Sequence, residues 1–145
     1  RVTTVVGSKC GGVGTAPRPD SPLAPIVARE YRIIAESWER ISPSEALDAT
    51  WRIVRETNAF LEQAEPWKTE PGPLVDAILG DALEVLRIVS ILASPAVPDA
   101  CAEIRRRIGL TSDAEEERLP ESIAWGRYPA GLPVAKGEPL FPRLK

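Results

Sequence analysis

The sequence predicts an all-α fold: a helical bundle of about four to five helices with an extended C-terminal tail. Three observations carry that prediction. Apolar residues recur at helical spacing through three long stretches, 26–40, 42–64 and 74–93. Prolines and glycines gather between those stretches, where they stop helices. The segment from Trp125 to Lys145 instead interleaves four prolines and three glycines with Tyr128, Leu132, Val134, Leu140 and Phe141. A segment of that composition is extended, and its apolar residues need a surface to lie on.

The elements follow in order. Val2 to Cys10 reads as the tail of a helix, ended by Gly11-Gly12-Val13-Gly14, and a proline-rich connector runs from Ala16 to Pro25. From Ile26 to Arg40 the stripe is Ile26, Val27, Tyr31, Ile34 and Trp38, with Glu30, Arg32 and Glu36 largely outside it. Ser42-Pro43-Ser44-Glu45 is a helix start by its chemistry. The serine can accept from a free backbone N–H, Pro43 suits the first helical position, and Glu45 has capping-box spacing. That helix runs to about Ala64, with Leu47, Trp51, Val54, Asn58 and Leu61 on its stripe and Ala46, Ile53 and Phe60 beside it. Pro66 ends it.

Leu74 to Ala93 gives a helix that is apolar nearly all round, which places it at the centre of the bundle. Ser94 to Asp99 breaks it, and a shorter helix from Ala100 to Ile108 is ended by Gly109. Residues 1–110 are thus expected to form the bundle. Residues 111–145 are expected to form an acidic connector, mobile or weakly helical over Ser112 to Ser122, and then the extended tail.

Composition bounds the function. With 145 residues, 43% hydrophobic and 27% charged, the chain fits one domain with a real core. It contains no methionine, which suggests a piece of a longer protein. A formal charge of −3 argues against a broad cationic surface, so a nucleic-acid partner would have to be gripped locally. Cys10 and Cys101 stand far apart and the chain has no histidine, so a Cys/His zinc site cannot be assembled and both cysteines read as buried reduced thiols. Nothing resembles a signal peptide, and Asp81, Glu84 and Arg87 interrupt the most apolar helix; a cytoplasmic protein with no membrane partner is expected.

Several chemical signals fail. Gly7-Ser8-Lys9-Cys10-Gly11-Gly12 has two glycines at the spacing of a phosphate-binding loop, but Val13 replaces the lysine and no strand precedes it. The acid pairs Glu62 with Glu65 and Asp81 with Glu84 read as solvated faces. Arg105-Arg106-Arg107 can contact phosphate, yet cations at a helix C-terminus already favour the helix dipole. Without histidine no triad-type nucleophile exists, so no catalytic residue and no metal ligand is assigned.

The tryptophans differ among themselves. Trp38 and Trp51 lie in helical stripes and read as core, while Trp125 packs the tail down. Trp67 follows Pro66, so its ring projects from a stiff corner at the bundle end. There it either plugs the core or offers a platform on which unpaired bases stack.

Asn58-Ala59-Phe60-Leu61, then four residues and Pro66-Trp67-Lys68, resembles the Asn-x-aromatic-aliphatic to Pro-Trp-Lys signature of the anticodon-binding domain of methionyl-tRNA synthetases. Leu86-Arg87-Ile88 with Leu92-Ala93-Ser94-Pro95-Ala96-Val97-Pro98 is similar to the family's next helix and its break. Trp125-Gly126 leading to Lys136-Gly137-Glu138-Pro139-Leu140-Phe141-Pro142-Arg143 resembles its closing segment. These blocks stand in family order across nearly the whole chain.

The resemblance implies a bundle that follows the catalytic domain of a class I synthetase and reads the CAU anticodon of tRNA. By resemblance Trp67 stacks on an anticodon base and Pro66 holds it; as a nearby cation, Lys68 is expected to meet phosphate. Arg1-Val2-Thr3-Thr4-Val5 is similar to the family's run after a base-reading arginine, which makes Arg1 the reader. The parent would be an aminoacyl-tRNA ligase using ATP and Mg, with its catalytic domain before this chain; no cofactor is expected on the piece itself. The family's HIGH-like and KMSKS-like motifs and its zinc knuckle are absent here, and Gly11 to Pro25 is unlike the shorter Asp-Gly turn of the family. The tail from Lys136 to Arg143, by resemblance, folds back toward the catalytic domain. The rivals, in order, are a protein-interaction or structural bundle with Trp67 buried, the anticodon domain of a related class I synthetase and, far behind, a free-standing enzyme.

Overall fold

The computed structural model describes residues 1–142 and 144. Among them lie five α-helices, α1 (Val2–Lys9), α2 (Leu23–Glu39), α3 (Pro43–Ala64), α4 (Pro73–Leu92) and α5 (Pro98–Arg107), with 3-10 turns at Ala114–Glu116 and Glu121–Ile123. The all-α bundle expected from the sequence is what forms. α4 is its axis: it touches each of the other four helices, and nearly all of its residues from Val75 to Leu92 are buried.

Three helices begin earlier than their apolar pattern suggests, and proline is the common reason. Pro73 and Pro98 occupy the first turns of α4 and α5, as Pro43 does in α3, and Pro25 lies inside the first turn of α2. A first-turn N–H has no partner within the helix, so losing it costs nothing there. The capping box at Ser42 does not form: the serine makes no side-chain cap bond, and Glu45 pairs with Arg40 instead.

The core lines of α2 and α3 are rotated from those expected. α2 buries Leu23, Val27, Glu30, Ile34 and Ser37, while Trp38 is 40% exposed rather than core. α3 buries Ala46, Ala49, Thr50, Ile53, Thr57 and Leu61; Trp51 is half-buried and Asn58 exposed. Most of this buried line is small, and Thr50 and Thr57 satisfy their hydroxyls on the carbonyls of Ala46 and Ile53, four residues back. Apolar periodicity weights a tryptophan above an alanine, whereas close packing selects the alanine.

The largest correction concerns charge. Asp81 and Glu84 are not a solvated face; both are fully buried, as is Arg87 nearly so. Glu30, expected outside the stripe, is buried beneath Arg29 and Arg52. Each buried carboxylate is paired and hydrogen-bonded, as burial of charge requires.

These carboxylates tie down the irregular segments. The backbone N–H of Arg18 donates to Asp81 Oδ1 at 2.8 Å, and its Nε donates to Oδ2 at 2.9 Å, while Thr15 donates to the Asp76 carbonyl at 2.6 Å. The connector is thereby laid across α4. Trp125 donates its indole N–H to the Arg18 carbonyl at 2.7 Å, and the following tail crosses back to residues 12–14 through Val134 N–H to Gly12 O (2.8 Å) and Gly14 N–H to Leu132 O (2.8 Å). Between α5 and the tail, Ser122 and Ile123 are buried and Glu117 pairs with buried Arg105. Farther on, Arg107 accepts the Ala135 N–H on its carbonyl and donates to Glu138 O at 2.7 Å. Arg143 of the closing block lies outside the described residues.

Cys101 is buried as expected, but Cys10 is only half-buried, its thiol on Asp76, and the protons of Cys10 and Tyr128 couple this packing to pH. Burial, and then the hydrogen bond and charge of Asp76, push the Cys10 thiol from 9.0 up to about 11; burial pushes Tyr128 from 10.0 to about 12. The folded state keeps protons that the unfolded chain releases, so the contribution is complete below pH 9 and is lost as pH rises. Denaturant midpoints should therefore hold level to about pH 9 and then fall, with Cys10 acting between 9 and 11 and Tyr128 between 10 and 12. A flat profile to pH 12 would contradict the packing of Cys10 against Asp76 and the burial of Tyr128.

Candidate nucleic-acid interface

The corner at the end of α3 is built from backbone chemistry. Glu65 caps the helix in the left-handed region (φ 44°), with its N–H on the Leu61 carbonyl, and Pro66 is buried behind it. The Lys68 N–H then donates to Glu65 O at 2.9 Å, closing a four-residue turn with proline in its favoured second position. Trp67 is the residue this turn presents.

The ring is half-buried. It packs against the apolar clusters containing Val2, Leu61, Ile78 and Leu79, so the structure gives Trp67 part of each role left open by the sequence. The Arg1 guanidinium lies over it, 4.1 Å from the ring centroid, and Arg1 is paired with Glu62 of α3. A guanidinium over an indole is a cation–π arrangement. Beside it a shallow hollow of about 320 Å³ is lined by Arg1, Thr4, Val5 and Trp67.

The residues singled out in the sequence are therefore unequally placed. Arg1 and Trp67, at opposite ends of the first 67 residues, are brought into contact by the packing of α1 beside the α3 corner. Pro66 supports the turn from within. Lys68 is exposed and bonded to Glu65 at 2.7 Å, which raises its pKa through that hydrogen bond and the carboxylate charge. Thr4 and Val5 were not singled out as site residues, and Glu62 was named only as half of a solvated acid pair. Thr4 and Val5 follow Arg1 by three and four residues, the spacing that puts helix residues on one face, so they were legible in principle. The Arg1–Glu62 pair spans 61 positions and had no local signal.

The arginine run offers no comparable surface. Arg105 is buried and donates to Ser90, Ser112 and Glu117, while Arg106 and Arg107 share Glu103, whose carboxyl their hydrogen bonds hold at about 2. Gly11 and Gly12, both at positive φ, follow the C-terminus of α1. A phosphate-binding loop precedes a helix N-terminus, so these residues do not fit a nucleotide. Among the described residues no group of three or more His, Cys, Asp or Glu is placed to hold a metal ion, and no helix is long and apolar enough to cross a membrane.

Comparison with known proteins converges on one family. The chain is 30% identical to the methionine--tRNA ligase of Streptomyces coelicolor and 28% identical to that of Synechocystis, each over 100% of this chain. It spans 30% of the length of these curated relatives. The structure of apo Mycobacterium tuberculosis methionyl-tRNA synthetase superposes with a TM-score of 0.77 at 19% identity, covering all of this chain and 30% of that one, and so shares the fold. Residues 23–145 match the family model described as the anticodon binding domain of methionyl tRNA ligase, and the chain belongs to that family.

Proposed function

We propose that the chain reads the CAU anticodon of tRNA for a methionine--tRNA ligase, the remainder of which carries out ATP- and Mg-dependent aminoacylation. The observation that carries this reading is the Arg1 guanidinium set over Trp67 beside the hollow at the end of the bundle. It joins a flat aromatic face to a fixed fork of hydrogen-bond donors, the two chemistries that single-stranded bases require.

In this reading Trp67 stacks on an unpaired anticodon base, Pro66 keeps the turn rigid, Arg1 donates to a base edge and Lys68 meets a phosphate oxygen. Stacking is indifferent to net charge, so a chain of formal charge −3 binds RNA through a local grip. Among the described residues no glycine-rich loop leads into a helix as a phosphate-binding loop does and no metal-ligating cluster forms, so adenylate formation and transfer are assigned to the rest of the parent enzyme. Binding energy from this remote contact would position the acceptor end there.

The test is a titration of CAU and altered anticodon stem-loops against the chain and its Trp67→Ala variant, with helicity followed in parallel. Loss of one stacked base is worth about 1–3 kcal/mol, so the variant should bind CAU roughly 5- to 150-fold more weakly while staying helical. Its preference for CAU should also shrink. Equal affinity of the unchanged protein for all stem-loops would defeat the reading in favour of a structural bundle.

A further inference from the structure

The part of the indole that a base would need is already occupied. Trp67 packs inward against Val2, Leu61 and Leu79, and the guanidinium of Arg1 stands over the ring at 4.1 Å. Arg1 in turn is held by Glu62, which lies on α3 five residues before Trp67. Both partners are more than half exposed, at 61% and 57% of their side-chain surface, so the pair has room to open.

We infer that Glu62 is a positioning residue: it holds Arg1 as a latch over Trp67, and a planar ring gains the indole only when Arg1 swings aside. This rests on the anticodon reading proposed above and adds to it a residue that touches neither base nor phosphate. Once displaced, the guanidinium remains close enough to donate to the edge of the base that replaced it, because both compete for the same site. Glu62 then sets the balance: its carboxylate and the base edge are alternative acceptors for one set of donors. An exposed cation–π contact and an exposed ion pair are each weak, so the latch shifts the closed form by a small factor and is readily opened.

The experiment measures cover and access separately. Acrylamide is uncharged, so its quenching of tryptophan reports cover rather than the charge of Arg1. The Trp67 share is isolated by subtracting, for each protein, the same chain carrying Trp67→Phe. Glu62→Ala and Arg1→Ala should both raise that share. Glu62→Ala should also speed association with a CAU stem-loop by about two- to fivefold, beyond the gain from Glu70→Ala, an equal charge change at an exposed site just past the turn. Unchanged quenching in Glu62→Ala overturns the latch, whatever the RNA does. Increased quenching with no excess over Glu70→Ala overturns its role in access. Increased quenching in a protein that prefers no stem-loop upholds the positioning of Arg1 by Glu62 and removes the anticodon reading alone.

Discussion

Glu84→Ala is expected to lower stability by about 3 to 5 kcal/mol, a large part of the roughly 5 to 15 kcal/mol that holds a domain folded. Glu84 Oε1 accepts from Gly126 N–H at 2.9 Å, Arg127 N–H at 3.1 Å and Arg87 Nη2 at 2.7 Å. Oε2 accepts from Tyr128 N–H at 2.8 Å and Arg87 Nε at 2.9 Å. One fully buried carboxylate thus satisfies three tail amides and a buried guanidinium. Alanine leaves the three amides and Arg87 Nε without an acceptor and Arg87 without its counter-charge, and the cost of an orphaned buried charge exceeds that of a lost contact. Arg87 would still reach the carbonyls of Ser122 and Ala124, which limits the loss.

The damage should be local before it is global. Trypsin cleavage at Arg127 should accelerate in native buffer, because the segment around it is fastened by these bonds. Denaturant unfolding gives the global figure. A change below about 1 kcal/mol, the ordinary size for a surface substitution, would show that Glu84 is not an anchor.

Gly80→Ala should cost about 3 kcal/mol, near the upper end of what overpacking produces. A Cβ at this position would stand 2.1 Å from the Ala16 carbonyl oxygen and 2.6 Å from its carbon. These are backbone atoms and cannot rotate away. The connector would have to lift, and with it Arg18 from Asp81 and Trp125 from the Arg18 carbonyl. Alanine ordinarily favours a helix over glycine by about 1 kcal/mol, so the sign of the result separates the two effects. A stabilised variant would mean that the connector does not lie where the structure puts it.

Much of the fold was legible because helices advertise themselves locally. The central position of α4 followed from its all-round apolarity, and the end of α3 at Ala64 followed from Pro66. Helix starts were less legible, since proline reads as a breaker and yet sits comfortably in a first turn. The facing of α2 and α3 was misjudged wherever a tryptophan competed with small residues: Trp38 is 40% exposed, while Ala49 and Thr50 are buried. At the site, Pro66 and Trp67 announced a corner by themselves, whereas Glu62 resembled any helix-surface acid.

The sequence alone determined the class of fold, the order of its helices and the presence of a rigid aromatic corner, because these depend on residues within a few positions of one another. Tertiary structure decided the rest. Whether Asp81 and Glu84 face water, where the proline-rich connector and the tail lie, and that Arg1 reaches Trp67 all depend on partners dozens of residues away. A charged side chain reads the same in the sequence whether its counter-charge is water or a buried guanidinium; only the folded chain brings that partner within hydrogen-bonding distance.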